Sequence, residues 1–178
     1  INGKAEEIRS PRDAYNLKIG MIHQHFKLID VFTAVENIAL GLDKKEKFDM
    51  KAIEARTKEI CEKYHFDLNL EQKVYEMSVS QKQTLEIVKV LYRGADILIL
   101  DEPTAVLTPQ ETDRLFEVIR NMKADNKSVI IITHKLHEVL AISDRVAILR
   151  KGEYVGSVET KDATTSSLTE MMVGKKVA

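Results

Sequence analysis

The sequence predicts an α/β fold built on a mainly parallel sheet, and three observations carry that expectation. Ile97-Leu98-Ile99-Leu100 and Ile130-Ile131-Ile132 are continuous apolar runs of strand length, the pattern of strands covered on both faces of a parallel sheet. Segments with helical apolar spacing separate the runs, as crossover connections require. Each run passes directly into polar residues, and in parallel α/β sheets ligands gather beyond the carboxyl ends of the strands.

Taken in order, residues 18–25 form an apolar, compact stretch read as a strand ending near Gln24. From about Val35 to Tyr75 the pattern turns helical and charged. Ile53, Ile60 and Tyr64 stand at roughly helical spacing around Glu54, Arg56, Lys58 and Glu59, which gives a small helical arm with one solvated face. The mixed run Lys44-Lys45-Glu46-Lys47 reads as part of that solvated face. A helix is expected over 81–92, and Ser80 with Gln83 has the spacing of a capping box that would start it. A strand over 96–100 follows. The helix over 110–123 has strong start signals: Thr108 can cap, Pro109 suits the first turn, and Glu111 completes a capping box. Its apolar stripe is Leu115, Phe116, Ile119 and Met122. A strand over 128–133, a short helix over 136–141 and a strand over 145–149 come next. A turn at Lys151-Gly152, a strand over 154–158 and a helix over 167–172 close the chain.

Bulk properties narrow the function classes. A chain of 178 residues can bury about 70% of the surface its unfolded form exposes, enough for a real core. With 44% hydrophobic and 31% charged residues and a net charge of -1, it has no long-range pull toward nucleic acid or anionic lipid. The single Cys61 cannot form an internal disulfide, which favours a reducing compartment. No apolar run reaches the ~18 residues of a membrane span, and no signal peptide opens the chain. The chain starts Ile1-Asn2-Gly3-Lys4 without methionine and is expected to be part of a longer protein.

The chemistry is concentrated at the ends of the apolar runs. Asp101 and Glu102 are like charges side by side at the mouth of a buried strand, where they repel each other and resist desolvation. Such a pair calls for a counter-cation or a reacting group. With Gln24 and His134 at equivalent strand ends, one rim would carry a metal-type carboxylate, a second acid, a neutral donor and a histidine. Those are the parts needed to hold Mg²⁺ and direct a water at a phosphate. His23 and His25, read as alternate strand residues with no Cys or acid nearby, do not make a metal pair.

Met77-Ser78-Val79-Ser80-Gln81, then Ile97-Leu98-Ile99-Leu100-Asp101-Glu102-Pro103-Thr104, then Ile130-Ile131-Ile132-Thr133-His134 resembles the signature, Walker B and switch-histidine series of ABC-type ATPases. The resemblance covers nearly the whole chain. Tyr92-Arg93-Gly94-Ala95, the stretch from Thr104 to Glu111 and the terminal Met172-Val173-Gly174 look most like the first of two fused ATPase halves in bacterial importers of simple sugars or nucleosides. Between the two solutes the middle stretch leans to nucleosides. The resemblance implies an incomplete P-loop NTPase-like domain: a RecA-like core with a helical subdomain over about 43–92 that includes the signature. ATP and Mg²⁺ are the implied cofactors. Asp101 would hold Mg²⁺ through a coordinated water, with Gln24 beside it as the glutamine that reports nucleotide state to a transport partner. Glu102 would polarise the attacking water, and His134 would contact the γ-phosphate and orient that water.

Ser78, Val79, Ser80 and Gln81 would form a phosphate cap at a helix start, made across a dimer to nucleotide held by the other copy. Here the chain departs from the family pattern. Ser80 stands where the family usually has glycine, Val79 where many members have another, and Thr108 where an acid is common. No G-x-x-x-x-G-K-[ST] loop is present either, since Gly3-Lys4 runs into Ala5 and Gly174-Lys175 into Lys176. The chain is therefore expected to bind ATP weakly and hydrolyse it negligibly by itself. The implied partners are transmembrane permease subunits docking near Gln24 and the helical arm, a second ATPase half or a second copy, and indirectly a solute-binding protein. The implied location is cytoplasmic, peripheral on the inner face of the cell membrane. Two alternatives stand beside this one. The first is a catalytically silent regulatory or interaction module of the same fold. The second is an ATPase acting on nucleic acid, which would require heptads or a basic, aromatic-laced surface; neither occurs, and no nucleic-acid partner is expected.

Overall fold

Strand β2 (Ile97–Asp101) is the middle of a three-stranded parallel sheet, paired with β1 (Ile19–Ile22) on one edge and β3 (Ser128–Ile132) on the other. The computed structural model describes residues 1–42 and 49–175, so the charged run 44–47 lies outside the described residues. The chain divides into two compact units, Ile1–Ile132 and Thr133–Ala178.

In the first unit, α1 (Pro11–Asn16) is a one-and-a-half-turn helix that apolar spacing does not announce. The Ser10 hydroxyl caps it by accepting the Asp13 N–H, and proline fills its first turn. Helix α2 (Ala34–Leu40) begins at a reciprocal Thr33–Glu36 capping box. Helix α3 (Met50–Tyr64) begins at Asp49 and stops at His65, which takes the left-handed conformation at φ 60. These helices and one face of α4 (Val79–Tyr92) bury a single apolar cluster that includes Ile38, Ile53, Leu70, Val74, Leu85 and Tyr92. Ile53 and Tyr64 are buried and Ile60 packs against the cluster, as the helical spacing predicts. The far end of α3 is fastened to the end of α5 (Pro109–Ala124). There the Tyr64 hydroxyl donates to the Asp125 carboxylate, and Lys63 Nζ lies 3.1 Å from the same group. Burial and that hydrogen bond push the Tyr64 hydroxyl well above the usual phenol range.

Helix α5 follows the sequence closely. Thr108 and Glu111 cap each other, Pro109 occupies the first turn, and Leu115, Phe116, Ile119 and Met122 are its buried residues. Helix α4 lies tight against β1 because residue 20 is glycine. A Cβ there would stand 2.7 Å from Val90 Cβ and 3.2 Å from Ala95 Cβ, far inside ordinary packing distance.

The second unit contains α6 (Leu136–Ile142), β4 (Arg145–Arg150), β5 (Glu153–Glu159) and α7 (Thr165–Val173) around Val146, Ile148 and Leu168. The parallel sheet that the sequence predicts is confined to the first unit. It comprises β1, β2 and β3, while β4 and β5 form their own antiparallel pair. Lys151 and Gly152, both at positive φ (52 and 79), connect the two strands. A connection that short can only reverse the chain, and parallel neighbours need a long crossover. Burial differs from the expectation of strands covered on both faces. Leu98 and Leu100 of the central strand are fully buried, but Ile130 and Ile132 on β3 are about half exposed (51% and 48%). A run of isoleucines announces a strand without announcing how many of its faces are covered.

Two outcomes follow from this packing. Gly20→Ala should destabilise the chain by about 1–3 kcal/mol, read as a lower urea midpoint with unchanged slope. The carboxyls of Glu36, Glu111 and Asp125 are all held below their ordinary values. Glu36 and Glu111 owe this first to the backbone N–H of Thr33 and Thr108, and Asp125 to the Tyr64 hydroxyl and then Lys63. Groups lowered on folding contribute stability that is complete above their unfolded values and lost as pH falls through the folded ones. Thermal stability should therefore fall below pH about 4.5. A Glu36→Gln, Glu111→Gln, Asp125→Asn triple variant should be less stable at neutral pH and flatter across that acid window.

Candidate functional site

The parallel register sets Ile22, Leu100 and Ile131 abreast, so whatever follows Ile22 and Leu100 leaves the sheet on one side. Asp101 is the last residue of β2, paired with Ile132. Glu102 extends the ladder by one bond, its N–H donating to Ile132 O at 2.8 Å, and then turns sharply at φ 46. That is left-handed backbone, which costs a residue with a side chain about 1–2 kcal/mol. On the neighbouring strand the chain leaves β1 at Ile22 and places His23, Gln24 and His25 beyond its end. The two histidines are therefore loop residues, not alternate residues of a strand, because pairing with β2 stops at Ile22.

These segments meet the start of α4 around a hollow of about 400 Å³ whose lining includes Gln24, Asp101, Glu102, Val79, Lys82 and Gln83. His23 and His25 also line it. His134 stands two residues beyond the same end of β3, near the start of the second unit. Asn37, which is buried, holds the loop after Gln24. Its side-chain oxygen accepts the Ile29 N–H at 2.8 Å, and its amide nitrogen donates to Ile29 O and Thr33 O at 3.1 and 3.0 Å.

The start of α4 differs from the expectation. Its capping box is Ser78 with Gln81: Ser78 Oγ accepts the Gln81 N–H at 3.2 Å, and Gln81 Oε1 accepts the Ser78 N–H at 2.9 Å. Ser80 and Gln83 do not form the box, since the helix has already begun two residues earlier and Gln83 is turned inward. Both pairs fit the same spacing. The deciding signal is that Gln83 falls on the stripe with Ile87 and Val90, which the structure buries. Of the four expected signature residues, only Val79 lines the hollow. The capping box engages the Ser78 hydroxyl and the Gln81 amide, and Ser80, behind Thr108, is a minor contributor to holding the Glu111 carboxyl at the head of α5 below its ordinary value. Gln83, which sequence reasoning assigned to a cap, donates from Nε2 to Pro103 O at 2.6 Å.

A larger hollow of about 720 Å³ lies against α3 and the 65–71 segment, and shares no lining residue with the first. Among the described residues, no group of three or more His, Cys, Asp or Glu side chains could hold a metal ion by itself. No described helix is long and apolar enough to cross a membrane.

Residues 1–105 match the family model described as ABC transporter. The chain belongs to the ABC transporter family. It is 46% identical to the nucleoside import ATP-binding protein NupA of Lactococcus lactis subsp. cremoris over 180 residues, which is 100% of this chain and 36% of that protein. It is 41% identical to the glucose import ATP-binding protein TsgD13 of Haloferax volcanii over 207 residues, covering 99% of this chain and 38% of that one. This ABC transporter chain thus spans little more than a third of the curated relatives it matches. Its fold matches that of the dimeric ATP-binding cassette MJ0796 bound to ADP and Pi, with a TM-score of 0.70 at 22% identity over 86% of this chain and 68% of that one.

Replacing Asn37 by leucine strands the Ile29 N–H beside an apolar group, a loss of about 1–3 kcal/mol. Chemical denaturation should show it, together with faster amide exchange at Ile29 than at Leu98.

Proposed function

We propose that this chain is the catalytic-rim portion of an ATP-hydrolysing subunit that drives a bacterial importer of simple sugars or nucleosides. The observation that carries the reading is the shared hollow at the carboxyl ends of β1 and β2, where Gln24, Asp101 and Glu102 meet the start of α4. The relatives' names favour the same class of solute. Residues over about 43–92 act as the helical subdomain, and the remainder as the RecA-like core.

The donor set suits Mg²⁺. Asp101 offers a carboxylate and Gln24 an amide oxygen, hard ligands for an ion that keeps several waters and takes the rest of its shell from phosphates. Bound there, the ion would neutralise charge on the phosphate oxygens. Asp101 would hold the ion there, and Glu102 would be left to act on the attacking water. The Glu102 carboxylate takes a proton from the attacking water as its oxygen bonds to the γ-phosphorus and the bond to the ADP oxygen breaks. His134 orients that water and the γ-phosphate. Ser78, Val79, Ser80 and Gln81 face nucleotide held by a second ATPase half or a second copy. Gln24 and the helical arm meet the transmembrane permease subunits, which hold the ATPase at the inner face of the membrane and receive solute from a solute-binding protein.

The test compares this chain with the protein encoded by its complete reading frame. The complete protein should hydrolyse ATP in the presence of Mg²⁺ and lose at least about 10²-fold in kcat on Glu102→Gln, whereas residues 1–178 alone should show no Glu102-dependent turnover. A complete protein that binds its permease but does not hydrolyse ATP would instead support a catalytically silent module.

A further inference from the structure

We infer that Gln83 is a positioning residue for Glu102, acting through the backbone of Pro103; this rests on reading Glu102 as the group that polarises water. Glu102 sits at φ 46, a conformation that a residue with a side chain keeps only when its surroundings over-determine it. The hydrogen bonds around it include three that fix the turn's backbone. Its N–H donates to Ile132 O at 2.8 Å, its carbonyl accepts the Ala105 N–H at 3.3 Å, and the carbonyl of the next residue, Pro103, accepts Gln83 Nε2 at 2.6 Å.

The first two bonds are backbone to backbone and survive any side-chain change. The third is the shortest of the three and comes from a side chain only 7% exposed. It also reaches across 20 residues of sequence, so it ties the turn to a different element. That element is α4, whose Val79, one turn before Gln83, lines the same hollow as Glu102. Gln83 therefore locks the peptide after Glu102 to the helix start that flanks the hollow. Without the amide donor, a buried carbonyl is left unpaired, the peptide between Pro103 and Thr104 is free to rotate, and the left-handed turn loses the support that aims the Glu102 carboxylate. Gln83 touches no reacting atom in this account. Its effect is on where the carboxylate stands, and an error of about 1 Å there is enough to slow chemistry strongly.

The experiment is a double-mutant cycle on ATP hydrolysis by the protein of the complete reading frame. Gln83→Met keeps length and loses both N–H donors. It should lower kcat about tenfold while KM for ATP stays within about twofold, since nucleotide contacts are untouched. In a Glu102→Gln background the same substitution should change the residual single-turnover rate less than about twofold, because the carboxylate it positions is gone. Gln83→Leu serves as the second variant should Gln83→Met not fold, and Gln83→Glu, which keeps a donor when protonated, should lose less activity than either. Equal losses in both backgrounds, or a rise in KM matching the fall in kcat, would show a merely structural role and overturn the inference. Hydrolysis by the wild type with no effect of Gln83→Met overturns this inference alone. A wild type with no Glu102-dependent hydrolysis overturns the functional reading and this inference together.

Discussion

Strand β2 is hydrogen-bonded along both edges, and its register is the constraint on which the site rests. Leu98 and Leu100 are completely buried, while Ile97, Ile99 and Asp101 between and beyond them are only partly so. A slip of one residue would exchange the two sets, bringing two leucines outward and carrying the Asp101 carboxylate toward the core. Burying an unpaired carboxylate costs several kcal/mol, so the leucines and the acid enforce the same alignment from opposite directions. The neighbouring strands inherit it, since β1 and β3 are paired to β2 residue by residue. The position of Asp101 and the departure points of Gln24 and Glu102 are thus consequences of hydrophobic burial several residues away.

Helix α4 connects that sheet to the helical arm. Gly20 lets it lie close to β1, its reciprocal cap at Ser78 and Gln81 satisfies its first turn, and Gln83 reaches into the turn after β2. Its apolar face meanwhile contributes Leu85, Val88 and Tyr92 to the arm's cluster. Strain at Glu102 is tolerated where these fixed elements converge, a common place for unfavourable backbone to persist.

Much of this was legible in the sequence because it depends on local chemistry. The start of α5 could be read from Thr108, Pro109 and Glu111, and its buried face from the spacing of Leu115, Phe116, Ile119 and Met122, since caps and helical periodicity act over one or two turns. The strand ends that carry Gln24, Asp101 and Glu102 were legible from apolar runs meeting polar residues. The start of α4 was not, because Ser78 with Gln81 and Ser80 with Gln83 satisfy the same spacing rule, and tertiary burial of Gln83 decides between them. The antiparallel pairing of β4 and β5 rests on a different signal, since apolar runs identify strands whereas direction is set by the connection, here the tight Lys151-Gly152 turn. Asn37 gave no signal at all, as its three bonds run to backbone groups whose placement exists only after folding.

The outer position of β3 has a consequence of its own. Ser128-Val129-Ile130-Ile131-Ile132 presents, among the described residues, one unpaired side with four β-branched apolar residues and no charge or proline within the strand. Such a segment is a template for adding strands from other molecules, and it lacks the gatekeeper residues that usually blunt one. Lys127 stands just ahead of the strand, but it is drawn back toward Asp96 in an ion pair at 3.1 Å. Whatever covers that side of β3 would therefore also remove a template for intermolecular β-association.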